Sequence, residues 1–98
     1  MAALVRVQDV DVLGGRVLRI VFSDGLVREL DFAGVLTGVL AALDDDEVFG
    51  AASVDEVAGT VCFPGGIDFD PDVLHGDAAA ATSLQPSLVR EYRLEHTT

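Results

Sequence analysis

Asp68, Asp70 and Asp72 stand at alternate positions, and His75 follows three residues later. Carboxylates at that spacing open the loops that hold calcium, and an imidazole could add a nitrogen ligand. An EF-hand loop also needs Gly at its sixth position and a bidentate acid at its twelfth. Those positions hold Val73 and Ala79, and Pro71 restricts the backbone between them. The acids are therefore expected to end a strand and cap a turn at Pro71, and no metal site is assigned. Asp44-Asp45-Asp46-Glu47 is a second acidic run, expected to start a capped, solvated helix rather than to hold an ion. Cys62 and His75 form the one nucleophile–base pair that can be drawn on paper. Cys62 lies between Val61 and Phe63 in an apolar strand, where a buried thiol is inert. No serine has a G-x-S-x-G context, and Gly65-Gly66 lacks the lysine and following helix of a phosphate loop. No catalytic or cofactor-binding residue is assigned, and the chain is expected not to be an enzyme.

The composition narrows the field further. The 98 residues carry six arginines, no lysine and seventeen acids, a formal net charge of −11, and half are apolar. Leu, Ile, Val and Phe account for 34 residues, ample for one folded core of this length. Net stability is expected on the order of 5–10 kcal/mol. Phosphate backbones are gripped mainly by Lys and Arg, so direct nucleic-acid binding is not expected. One cysteine allows no internal disulfide. No apolar run reaches the length of a membrane span, no secretory signal is read at the N-terminus, and a cytoplasmic location is expected.

The elements follow from hydrophobic period and turn chemistry. Leu4–Val12 reads as a strand whose phase changes between Val7 and Val10, at a bulge. Residues 16–22 and 26–32 read as a hairpin. A two-residue loop would set Leu18 opposite Asp31 and Ile20 opposite Glu29. A three-residue loop, Ser23-Asp24-Gly25, sets Phe22 opposite Leu26, Leu18 opposite Leu30 and Arg19 opposite Glu29. The second register is expected, with Gly25 left-handed in a G1 bulge and Arg28 laying its stem on the core and snorkelling out. Residues 33–43 have helical period, but Gly34 and Gly38 weaken it toward two short turns. Residues 44–49 read as a short helix capped by Asp44. Residues 53–55 and 60–63 form a second hairpin. Residues 67–70 are extended and 71–75 one tight turn. After Asp77 a linker leads to a short helix over 88–94, with Leu84, Leu88 and Tyr92 on one stripe.

The expected architecture is α+β: a small antiparallel sheet of two β-hairpins plus an N-terminal strand, packed by short helices. Residues 1–77 form the domain and 78–98 a linker with a C-terminal helix. Charge divides at the same boundary, with fifteen acids and four arginines before it and two of each after it.

The order of segments resembles a known bacterial family. Val17 to Gly25 ends in Phe22-Ser23-Asp24-Gly25, and Val27-Arg28-Glu29-Leu30-Asp31-Phe32 follows. Gly59-Thr60-Val61-Cys62-Phe63-Pro64 comes later, and Gly66 to His75 closes the module. This pattern is similar to domain of unknown function 2442 over roughly residues 4–76. Phe63 stands where the family usually has Trp, Gly65 where Asn is frequent, and His75 where Tyr is common. The resemblance implies a small α+β fold and brings no assigned activity. Members are often encoded beside another small protein, an arrangement like a toxin–antitoxin pair. Some relatives carry a helix-turn-helix after this domain; the segment here is too short and too neutral for one.

The leading expectation is a protein-interaction or regulatory module, in the manner of an antitoxin-like partner, whose acidity steers it toward a basic protein. The same acidity also serves solubility. The alternative is a small-ligand or divalent-metal domain using Asp68–His75. Phe63, Pro64, Asp68, Asp70, Asp72 and His75 make up the candidate partner or ligand surface. The chain is expected to be a monomer, or a homodimer through its C-terminal tail.

Overall fold

A computed structural model describes residues 5–36, 38–69, 71–76 and 86–94. Seven strands form two antiparallel sheets. The larger has the order β1(Val7–Gly14), β2(Val17–Phe22), β3(Leu26–Asp31), β7(Ser87–Arg93). The smaller holds β4(Ser53–Asp55), β5(Thr60–Phe63) and β6(Ile67–Asp68). Between them run a 3-10 helix over Gly38–Leu43 and the short helices α1(Asp46–Gly50) and α2(Pro71–His75). The fold is mostly antiparallel sheet with short helices, in two sheets where the sequence reading had one.

The β2–β3 register is the one that apolar pairing favours. Leu18 faces Leu30, Arg19 faces Glu29 and Ile20 faces Arg28. Gly25 has φ 86°, as the three-residue loop requires of the residue before β3. The phase change in β1 is a register shift between Val7 and Asp9.

Alternation then sorts the faces. Leu18, Ile20, Phe22, Leu26 and Leu30 turn inward from the large sheet. Val61 and Phe63 of β5 meet them, together with Phe32, Leu43, Phe49, Phe69 and Leu74. Four phenylalanines close a ring of contacts: Phe32–Phe49, Phe32–Phe69, Phe49–Phe63 and Phe63–Phe69 have centroids 5.1–6.0 Å apart. The one buried polar side chain among the described residues, Thr60, donates its hydroxyl proton to the Phe69 carbonyl.

Two elements differ from expectation. Residues 87–93 form a strand and not a helix. Their backbone completes the unpaired edge of β3, with Leu26 facing Arg93 and Leu30 facing Leu88 across a bulge. Helical spacing of Leu88 and Tyr92 is also strand spacing, and an open β3 edge decides between them. Residues 71–75 form a short helix instead of a tight turn, in keeping with Pro71 at a first helical position. Leu84 lies outside the described residues. The cap of α1 falls one residue later than expected: Asp45 accepts from the Glu47 and Val48 amides at 2.9 and 3.1 Å.

Candidate functional site

The tip of the β2–β3 hairpin gathers the densest set of ionic contacts. Asp24 is fixed first by its own turn, where its Oδ1 accepts from the Leu26 amide at 3.0 Å. Its Oδ2 lies 2.8 Å from His75 Nε2, at the last residue of α2. The imidazole is nearly buried and stands edge-on to Phe22, with centroids 4.8 Å apart at 88°. Arg93, from the end of β7, donates to the Asp24 carbonyl at 3.1 Å, and its guanidinium is 3.9 Å from the carboxylate. Burial pushes the Asp24 carboxyl up. The Leu26 amide, His75 and Arg93 outweigh it and hold the carboxyl below its usual range.

Arg28 lies beside this group. It faces the core side opposite Ile20 and does not snorkel to water. Its guanidinium donates to the Leu74 carbonyl at 2.7 Å and pairs with Glu91 at 3.0 Å, an ion pair without hydrogen-bond alignment. A cation on the last carbonyls of α2 also complements its negative end. The guanidinium packs against Gly76, where a Cβ would sit 2.8 Å from it.

The described residues among those singled out in the sequence occupy different settings. Phe63 is a core residue of the aromatic ring, Pro64 an exposed turn residue, and Asp68 an exposed residue of β6. His75 pairs with Asp24. Asp70 and the side chain of Asp72 lie outside the described residues. Cys62 is half-buried, not sealed in the core: the alternation that buries Val61 and Phe63 turns its thiol to the other face, 3.4 Å from the Ser53 hydroxyl. The Ser23 hydroxyl, next to Asp24 in sequence, accepts from the Arg6 amide at 3.0 Å. Among the described residues, no group of three or more His, Cys, Asp or Glu is placed to hold a metal ion.

The acidic run at 44–47 has a structural use. Asp44 and Asp46 take Arg16 at 3.1 and 2.8 Å, and its guanidinium lies over Phe49 at 5.6 Å. The hydrogen bond to Asp46 leads in raising the Arg16 pKa. Arg19 is likewise raised, first by its hydrogen bond to Asp11. Arg19 thus binds Asp11 of β1, while its cross-strand neighbour Glu29 lies 3.9 Å from Arg90 of β7.

A shallow cleft of about 250 Å³ is lined by Arg6, Val7, Gln8, Ser23, Val54 and Glu56. It is smaller than most small-molecule sites. The Arg6 guanidinium is spent on the Glu56 and Val57 carbonyls. Every arginine therefore lies near an anionic or carbonyl oxygen of its own chain: five lie within 3.9 Å of carboxylates, with Arg90 and Arg93 at that limit, and Arg6 reaches carbonyls. Asp9, Asp45, Glu47, Glu56 and Asp68 remain exposed at the surface.

Sequence reasoning read Asp24 as a turn residue and gave Arg93 no role. The signal for Arg28 was present in its inward phase opposite Ile20. The partners Glu91 and Arg93 needed the β3–β7 pairing to be seen. Among the described residues, no helix is long and apolar enough to cross a membrane.

A family model described as protein of unknown function (DUF2442) matches residues 7–78, which covers β1 through α2 and stops short of β7. No curated protein and no solved structure matches the chain.

Proposed function

The chain belongs to the DUF2442 family, and on that premise we propose that it is a protein-interaction module, the acidic half of a pair whose other half is a basic protein. The observation that carries this reading is the distribution of its charges. Arg6, Arg16, Arg19 and Arg28 are bound to the chain's own carboxylates and carbonyls, and the more exposed Arg90 and Arg93 stand beside carboxylates, so the outward field is set by acids on a body of net charge −11. Such a field raises the encounter rate with a basic surface and falls steeply with ionic strength. The module works by binding, in the manner of an antitoxin-like partner, and not by catalysis. Ligand or divalent-ion binding by the Asp68–His75 segment has less support, since His75 Nε2 is engaged by Asp24 and no metal-holding group is gathered among the described residues.

Recovery of partners from the native host at low and at high salt tests the reading. A basic protein that binds at low salt and is released at high salt is the expected result. Recovery of no partner, or of one indifferent to salt, would overturn it.

A further inference from the structure

The large sheet ends on two different edges. The β1 edge is blunted by two register shifts and by Asp9 and Asp11 on its outer face. The β7 strand has no lysine and no proline, and its Arg90, Glu91 and Arg93 leave it without the negative charge that Asp9 and Asp11 give β1. Leu88, Val89 and Leu94 are 51%, 57% and 47% exposed, three of the six large exposed apolar residues among those described. The Leu94 amide donates to the Gly25 carbonyl at 2.8 Å. Alternation along the strand then turns the backbone groups of Arg93 and Glu91 outward, away from β3.

We infer that this edge pairs with the β7 edge of a second copy, antiparallel about a two-fold axis at Glu91 and normal to the sheet. That register sets Arg90 of one copy opposite the Tyr92 ring of the other, twice, and the regular pairing ends at the bulge that skips Val89. Arg90 already lies 4.8 Å from its own Tyr92 ring, so the guanidinium and phenol are compatible neighbours. Glu91 meets its own image, but each carboxylate is held 3.0 Å from Arg28 of its own chain. The charge distribution favours the same edge. Residues 1–77 carry the whole net charge of −11, whereas 78–98 are neutral. Two acidic bodies thus approach at their neutral edge, where Arg28, Arg90 and Arg93 compensate the neighbouring acids. The contact is isologous and closes at two copies, so it makes a dimer and not a fibre.

Sedimentation of the full chain across a wide concentration range, at low and high salt, tests this. A mass that doubles with concentration and persists at high salt is expected, because backbone pairing is not screened. That salt response also separates the dimer from the acidic-surface reading above, whose complex dissolves in salt. Two variants then fix the register. Arg90→Glu with Tyr92→Glu sets acid opposite acid in a homodimer, and Tyr92→Arg sets base opposite base, so each should be monomeric alone and form a heterodimer when mixed. Circular dichroism checks that both stay folded. A wild-type chain that is monomeric throughout would overturn the inference by itself. So would a dimer that survives in both variants, or a mixture that fails to recover it.

Discussion

Asp24 and His75 meet at 2.8 Å across 51 residues of sequence, and their contact ties the tip of the first hairpin to the end of α2. A carboxyl held below its ordinary range stabilises the fold above its unfolded value of about 4. That contribution is lost as pH falls through the folded value. Asp24→Asn removes the charge and so the dependence. Urea midpoints measured from neutral pH downward should fall more steeply for the wild type than for the variant as pH drops toward and below about 4. Parallel curves would mean that Asp24 carries no such linkage.

Gly59 is expected to tolerate no side chain. It has φ +69°, and a Cβ there would lie 2.8 Å from the Arg6 guanidinium carbon. Gly59→Ala should cost about 1–2 kcal/mol for the left-handed backbone alone, with the steric clash in addition. Adding Arg6→Ala removes the clash but not the backbone strain. The double variant should therefore be less unstable than the sum of the singles, and strict additivity in chemical denaturation would contradict the close packing.

Asp45 and Asp44 are adjacent acids with different work. Asp45→Ala removes the cap of α1 and should cost about 1 kcal/mol. Asp44→Ala leaves the cap and loosens only Arg16, which keeps Asp46 at 2.8 Å. Thermal melts should rank Asp45→Ala as the more damaging, and the reverse order would argue against the cap.

Phe49 is fully buried between Phe32 and Phe63. Phe49→Ala should cost about 3–5 kcal/mol. Against a total on the order of 5–10 kcal/mol, that leaves a chain close to its unfolding threshold. Hydrogen exchange of the β2 and β5 amides should accelerate together, since both strands pack on the same ring cluster; acceleration confined to α1 would refute a shared core.

The first hairpin was legible because its evidence is local. Apolar residues could face one another in only one register, and Gly25 marked the loop. Arg28 was legible as an inward residue, but its fate was not, because the Leu74 carbonyl and Glu91 come from distant parts of the chain. β7 was misread for the same reason. Ser87 to Arg93 mixes apolar and charged residues on both faces, and it is a strand because β3 offers an unpaired edge. The candidate surface built from Asp68 to His75 left out Asp24, the partner of His75, which lies in a turn that looked complete on its own.

The β3–β7 pairing also has a consequence in time. Arg93 reaches Asp24 across 69 residues, and the strands they border are neighbours in the sheet. At about 5–20 residues per second, synthesis of that span takes roughly 3–14 s. Throughout that interval on the ribosome the outer edge of β3 has no strand to complete it. A nascent chain in that window is open to strand capture by any extended segment nearby, another nascent copy included. The arrival of β7 is the event that ends this exposure.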